Sequence, residues 1–460
     1  MTAQAKLVPN ASMAYHSLRL AVSLLGVLLL LLPCAAAAGD HPPYEPLVAP
    51  INLDVITHMY SIVFNDGYKR LAVDLAGPLV WSTCPGKHGT VPCDSAACRV
   101  ANQQHPRRCR YVDAGWFGAD REPGSWGCAC AAHPSNPATG ECSTGDLTTF
   151  AMSAKATDGR AALGPVELPA VVGSCAPDRL LGSGSLPAFA TGVAGFSRSS
   201  PLSLPSQLAS GTGGNNKFAL CLPDGGGGSF LGFAMFGNTS VHLGRSLPEL
   251  TSAIPYFPLA GNPRNGGYYL PVKAIAVRGQ QTVEVSLPAG ALDVDAHTGR
   301  GGVTLSTVAR HMAMRPDVYR AFLQAYHTAV QRNGYAVERA AADPPYELCY
   351  NGSTLRWRKG FGYDMPAISL ELAGAAAQAW TVPSADLLQA RGGPVCVAVV
   401  EMGRDTGGGG VEDEPAVVLG LDQLAGHLLV FDLDKSVVGF SDPLFYMDTS
   451  CTEFYYPTHH

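Results

Sequence analysis

The chain has 460 residues, 47% of them hydrophobic and 15% charged, and carries a formal net charge of −6. That length exceeds one ordinary hydrophobic core, so two lobes are expected, and the apolar share excludes a disordered chain. An acidic balance without any Lys/Arg stripe excludes nucleic acid and anionic membrane surfaces as partners.

Residues 1–38 carry Lys6 and Arg19 as their only charges, then an apolar run over 20–32 and a small-residue site at Ala36-Ala37-Ala38. This is the pattern of a signal peptide, and the run is short for a bilayer span, which takes roughly 20 residues. The expected product is secreted, with no membrane attachment after cleavage. Removing the segment takes away Cys34 and leaves twelve cysteines: Cys84, Cys93, Cys98, Cys109, Cys128, Cys130, Cys142, Cys175, Cys221, Cys349, Cys396 and Cys451. An even number in a secreted chain predicts six disulfides. Cys128-x-Cys130 lacks the spacing and His partners of a zinc site, so no metal is expected. Asn238-Thr-Ser and Asn351-Gly-Ser are glycosylation acceptors.

With 52 Gly and 35 Pro spread between apolar runs, strands and turns should dominate. Residues 59–64, Asn65-Asp66-Gly67 and residues 68–75 predict a strand, a tight turn and a strand. They feed the segment Leu71-Ala-Val-Asp-Leu-Ala-Gly-Pro-Leu-Val-Trp-Ser-Thr-Cys84, in which two apolar strands flank a turn at Gly77-Pro78. The carboxylate of Asp74 is delivered into that turn, at a cost unless hydrogen bonds or chemistry compensate. From 85 to 142 apolar periodicity fades and cysteines crowd, predicting a disulfide-stapled excursion. Strand patterning returns over 147–154 and 162–171. Val193-Ala-Gly195 is an apolar-apolar-Gly crossing, followed by a short helix at 202–208. The glycine-rich loop 224–228 lacks the Lys-Ser/Thr of a phosphate cradle.

The second half repeats this logic. Strands are predicted over 268–277 and 283–287, and Gly301-Gly-Val-Thr-Leu-Ser-Thr307 is a buried strand entering a turn. A helix starts with Pro316 in its first turn, places Val318, Phe322, Ala325, Tyr326 and Val330 on one face, and ends at Gly334. Strands at 396–400 and 416–419 lead to a second crossing at Leu419-Gly420. A flexible acidic loop spans residues 407–414. A closing hairpin turns at Asp434-Lys435-Ser436. The halves look like an internal duplication. The expected domains are an N-terminal β lobe at 45–240, a C-terminal β lobe at 255–455 and a tail at 456–460.

Val73-Asp74-Leu-Ala-Gly77 with Val80-Trp81, Val193-Ala-Gly195, Val418-Leu-Gly420, Val430-Phe-Asp432 and Val438-Gly-Phe440 together resemble the pepsin-like aspartic proteases. The Asp-Leu-Ala-Gly-Pro-Leu-Val-Trp-Ser-Thr-Cys, Gly-Gly-Val-Thr-Leu-Ser-Thr and Arg315-Pro-Asp-Val-Tyr-Arg-Ala-Phe322 segments are similar to its plant xylanase-inhibitor branch, which includes basic 7S-globulin-type proteins. The resemblance implies an all-β, bilobal pepsin-like fold with few short helices. It also implies the pairs Cys349–Cys396 and Cys221–Cys451, while the other eight cysteines keep 105 possible pairings.

Proteolysis in that fold needs two carboxylates sharing a proton across a water. The first turn offers Asp74 with Leu75 where the family has a hydroxyl residue. The second offers Ser306-Thr307-Val308 where Asp-Ser/Thr-Gly stands, and Val308 is expected not to adopt the conformation of the turn's glycine. The flap reads Cys130-Ala-Ala-His133-Pro-Ser-Asn-Pro137 without the family's Tyr, and His133 is expected to be a surface loop residue. No catalytic residue is therefore expected: Asp74 and Ser306 are vestigial, and Asp74 is an acceptor for backbone N–H groups. No Gly-x-Ser-x-Gly elbow, His-Glu-x-x-His pattern or dinucleotide fingerprint is present, and no cofactor is expected.

What the resemblance implies is a monomeric inhibitor of microbial glycoside hydrolases, chiefly endo-1,4-β-xylanases, in the plant apoplast or cell wall. The branch uses a C-terminal His between the target's carboxylates. The corresponding loop here, residues 441–451, has no His and is longer. Leu444, Phe445 and Tyr446 are its inhibitory candidates, while His459 and His460 belong to a frayed tail. The alternatives are a globulin-like binding or storage protein and an atypical aspartic endopeptidase.

Overall fold

The computed structural model describes residues 46–104, 110–111, 130–168, 170–209, 212–228, 230–238, 240–244, 249–358, 362–373, 379–403 and 414–456. The targeting segment 1–38, Cys109, Cys128, most of the acidic loop at 407–414, His459 and His460 lie outside the described residues. Apolar alternation makes Tyr60–Phe64 and Lys69–Asp74 an antiparallel pair with Ile62 opposite Leu71. Asn65 and Asp66 close it at φ +53 and +50, followed by Gly67 at +106. Asn, Asp and Gly are the residue types that enter this region most readily.

The first half is built on a four-strand crossing. Gly192–Gly195 lies parallel to Lys69–Asp74, with Asp74 opposite Gly195, and antiparallel to Val80–Thr83. Val80–Thr83 in turn runs parallel to Val171–Ala176. The second half contains the same set. Val417–Leu419 is parallel to Val303–Leu305 and antiparallel to Met312–Met314, which is parallel to Val399–Glu401. The duplication visible in the sequence as two short crossings is thus four strands deep in each lobe. Gly195 and Gly420 occupy equivalent places, and at each an added Cβ would overlap backbone carbonyls: those of Gly77 and Leu79 at Gly195, and those of Ala309 and His311 at Gly420. Only glycine lets the crossing strand run so close beneath its turn.

The architecture is bilobal and mainly β, with few helices. Pro316–Arg332 forms as its periodicity requires, burying Val318, Phe322, Ala325, Tyr326 and Val330 with Pro316 in its first turn. Gly334, at φ +67, follows its end. The closing hairpin His427–Asp432 and Val437–Phe440 pairs with Lys217–Leu222, Phe218 lying opposite Phe431, so the last strands complete a sheet begun by the first half. The Phe218 and Phe431 rings stack 4.6 Å apart, and Tyr268 meets Phe431 edge-on at 4.6 Å. The Tyr268 hydroxyl donates to the Phe196 carbonyl at 2.6 Å, which satisfies it inside this apolar seam.

Cys84–Cys175, Cys98–Cys130, Cys221–Cys451 and Cys349–Cys396 are disulfides among the described residues, and Cys93 and Cys142 are also disulfide-bonded. The pairs expected from resemblance are both formed. Among the described residues no helix is long and apolar enough to cross a membrane.

Candidate functional site

Asp74 ends its strand under the first turn. Its Oδ1 accepts the Ala76 N–H at 2.9 Å, and its main-chain carbonyl accepts Gly77 N–H at 3.2 Å and Phe196 N–H at 2.8 Å. The carboxyl is enclosed by protein yet keeps a solvent-accessible edge. Burial pushes its pKa up to about 6 against the lowering effect of the Ala76 and Gly77 N–H groups. No charged side chain among the described residues contributes to that shift.

The second turn is equivalent in backbone. Ser306 follows Leu305, which lies opposite Leu419, and the Ser306 N–H donates to the Leu419 carbonyl at 2.9 Å. Its Oγ accepts Val308 N–H at 3.2 Å and Ala309 N–H at 3.0 Å. The hydroxyl therefore fills the acceptor place that the carboxylate of Asp74 fills in the first turn. The conformational bar expected at Val308 is not found. Neither Gly77 nor Val308 has a positive φ; Gly77 is needed because a Cβ there would lie 2.9 Å from both Asp74 Oδ2 and the Gly195 Cα.

Thr307 joins the turns. Fully buried, its Oγ1 donates to the Val73 carbonyl at 2.8 Å and accepts the Leu75 N–H at 3.2 Å. One hydroxyl from the second lobe thus satisfies two backbone groups of the first. Leu75, the counterpart of Thr307, is apolar and cannot return the bond. In the sequence Thr307 stands out only as part of the Gly301–Thr307 motif. The signal available was that it keeps its hydroxyl while both of its neighbours depart from the family pattern.

The flap is held on several sides. Ala131–Ala132 pairs with Gly145–Phe150, and Cys98–Cys130 ties it to the helix Ala96–Gln103. Buried Trp81 donates from Nε1 to the Ser135 carbonyl at 2.9 Å. Buried Asn136 donates to the carbonyls of Leu180 and Leu181 and to Ser185 Oγ, at 3.0, 3.2 and 2.9 Å. His133 lies half-buried within the same segment.

In the C-terminal loop, Leu444 is 1% exposed and packs in a core cluster with Cys221, Cys451 and Phe454. This corrects its place among the inhibitory candidates, since it has no surface to offer. Phe445 and Tyr446 are each 37% exposed, with ring centroids 4.1 Å apart. They stand on the short turn Leu444–Met447, held by Leu444 N–H to the Gly426 carbonyl at 2.9 Å. A cavity of about 180 Å³ lies beside Phe445, lined by Asp224, Asp386, Gln389 and Asp422, and a second of about 240 Å³ reaches Thr449 and Ser450. Burial pushes Asp386 above the usual carboxylate range, opposed by buried His427 at 3.4 Å and reinforced by Asp224 and Asp422. His427 Nδ1 lies 2.8 Å from the Ser441 carbonyl, linking the cavity wall to the loop base.

Cys84, His88 and Cys175 cluster in the first lobe, but both cysteines are spent on their mutual disulfide, so the group does not make a metal site. Asn238 is exposed, while Asn351 is half-buried with its Oδ1 accepting Ser353 N–H at 3.1 Å.

Comparison with known proteins gives a consistent result. The family models described as xylanase inhibitor N-terminal and xylanase inhibitor C-terminal match residues 60–238 and 267–442. The chain is 38% identical to "Chitinase CLP" of Oryza sativa subsp. japonica, over 96% of this chain and 99% of that protein. Among solved structures it is similar to that described as edgp (TM-score 0.76, 26% identity, covering 90% of this chain and 99% of the other). It is similar also to basic 7S globulin from soybean (TM-score 0.69, 25% identity, 90% and 98%).

Proposed function

We propose, from the premise that the chain belongs to the xylanase-inhibitor family, that it is a secreted, proteolytically inactive relative of the aspartic proteases. Its role in this reading is to bind and block a microbial glycoside hydrolase of the endo-1,4-β-xylanase class in the plant cell wall. The observation that carries the loss of proteolysis is the second turn. There a serine hydroxyl, already engaged by two N–H groups, stands where peptide hydrolysis in this fold needs a carboxyl. Among the described residues no second acid acts on Asp74 to share its proton, and such a pair works only as a unit.

The grip is assigned to Phe445 and Tyr446, two exposed aromatic rings on a turn anchored by Leu444 and Cys451. Aromatic anchors on a rigid base suit a sugar subsite, which takes a flat apolar face. The carboxylate-lined cavity beside Phe445 adds acceptors for hydroxyl groups at the same edge.

The test is inhibition of a panel of fungal and bacterial endoxylanases, with a chitinase included, by the purified protein. Inhibition of at least one member, weakened about tenfold or more by Phe445→Ala with Tyr446→Ala, is the expected result. Binding without inhibition would move the protein to the globulin-like reading. Cleavage of protein at acid pH, abolished by Asp74→Asn, or cleavage of chitin oligosaccharides by the protein itself, would overturn the non-enzymatic reading.

A further inference from the structure

The two cavities beside Phe445, of about 180 and 240 Å³, adjoin one another, with Asp224, Gly426 and Phe445 lining both. Side by side they reach the range of about 300–1,000 Å³ that small-ligand sites occupy. Their walls carry a surplus of acceptors. Asp224 Oδ1 accepts Gly226 N–H at 2.8 Å, Asp386 Oδ2 faces His427 Nε2, and Asp422 Oδ2 is met by His311 Nδ1 at 2.7 Å and Gln389 Nε2 at 2.9 Å. The other oxygens, Asp224 Oδ2, Asp386 Oδ1 and Asp422 Oδ1, accept no hydrogen bond among the described residues. A ligand that fits these walls brings several donors of its own.

Thr449 is a second, independent observation. It is 7% exposed and lines the larger cavity, and its Oγ1 has no hydrogen-bond partner among the described residues. Its backbone is fixed, with the N–H donating to the Leu444 carbonyl at 3.2 Å. A buried hydroxyl held in place without a partner is costly, and the space to supply one is the cavity itself.

Charge decides between a cation and a neutral donor. The Ser441 carbonyl can only accept, so His427 Nδ1, 2.8 Å away, carries a proton. His427 Nε2 then faces Asp386 Oδ2 at 3.4 Å, and because two lone pairs do not face each other, this pair holds one further proton. Asp386 and His427 together therefore carry no net charge. Asp422 is met by two donors, and Asp224 stands exposed, where solvent screens it. The walls thus ask for hydroxyl groups more than for a cation. Phe445, between the cavities and 37% exposed, adds the flat apolar face that a sugar ring covers.

We propose that the paired cavities are a carbohydrate-binding site of this chain, taking a short neutral oligosaccharide across Phe445. Its hydroxyl groups donate to Asp224, Asp386 and Asp422 in the first cavity and meet Thr449 Oγ1 in the second. This goes beyond the inhibitor reading, in which Phe445 enters a sugar subsite of the hydrolase. Here the sugar is held by this chain alone, with no enzyme present.

The test is calorimetric titration of the intact protein with neutral xylo-, cello- and chito-oligosaccharides, with glucosamine oligomers and free arginine as cationic probes, and thermal unfolding alongside. At least one neutral series is expected to bind, its disaccharide more tightly than its monosaccharide. Thr449→Val is the decisive variant, because it removes a hydroxyl that has no partner in the fold. Its melting temperature is expected to stay level or rise while affinity falls about fivefold or more. Phe445→Ala is expected to weaken binding about tenfold, and Asp224→Asn, which keeps an acceptor for Gly226 N–H, to weaken it as well. The proposal is overturned if no neutral sugar binds at about 10 mM. Binding confined to the cationic probes, or binding that Thr449→Val and Phe445→Ala both leave unchanged, also overturns it. No hydrolase enters the titration, so such a failure leaves the inhibitor reading standing, and a failure of the endoxylanase panel leaves this site standing.

Discussion

Asp74→Asn should stabilise the protein at neutral pH. Burial raises the carboxyl from 3.8 to about 6. For an acid the sign is clear. Below about 4 both the folded and unfolded chains hold the proton, so the group adds no difference between them. Between about 4 and 6 the folded chain keeps a proton that the unfolded chain releases, and above about 6 the folded state carries a buried charge at full cost. At about 1.4 kcal/mol per tenfold change in proton affinity, that cost is about 3 kcal/mol. Asparagine accepts the Ala76 N–H less strongly than a carboxylate, which returns about 1 kcal/mol, so the net gain at pH 7.5 is about 1–2 kcal/mol. At pH 4, where wild-type Asp74 is already neutral in the folded state, the gain should vanish. Equilibrium guanidinium denaturation under non-reducing conditions at both pH values measures this directly. A variant destabilised equally at both pH values would refute the reasoning, because it would mean that the carboxylate is matched by a group other than the Ala76 and Gly77 amides.

Two further outcomes follow from the same geometry. Thr307→Val should cost about 1–3 kcal/mol by denaturation, since it strands the buried Val73 carbonyl and Leu75 N–H, and Thr307→Ser should recover most of it. Asp54 is held below its ordinary pKa because hydrogen bonds from Thr57, Ala188 and Ile56 outweigh the opposing effect of burial. These bonds are therefore intact above about pH 4 and lost as pH falls through the lower folded value. Amide exchange at Ile56, Thr57 and Ala188 should accelerate there, and Asp54→Ala should give the same acceleration at neutral pH.

The sequence disclosed the features that depend on local pattern. The Tyr60–Phe64 and Lys69–Asp74 hairpin, the face and both ends of the helix Pro316–Arg332, and the closing hairpin all follow from period and turn chemistry. The paired crossings were legible because glycine had to recur where strands run beneath a turn. Features that arise from juxtaposition were not legible. Thr307 is one hydroxyl among many until Val73 and Leu75 lie against it. Leu444 reads like its aromatic neighbours until Gly426 and Cys221 place it inward. Asp54 reads as a local turn residue, yet its bond to the Ala188 N–H spans 134 positions.

The two turns hold one backbone pattern with different side chains. What the fold needs at each turn is an acceptor for the following N–H groups and a glycine where strands cross, and Ser306 with Gly420 supplies both as well as Asp74 with Gly195. What catalysis needs is narrower: two acids whose proton affinities are set by each other. Here the proton affinity of Asp74 is set by burial and two amides. A hydroxyl in place of a carboxyl therefore keeps the turn's N–H acceptor without the cost of a buried charge, but it cannot take a carboxyl's share of a proton. Thr307 bridges the two turns from the second, and Phe218, Tyr268 and Phe431 stack where the closing strands join the sheet begun by the first half.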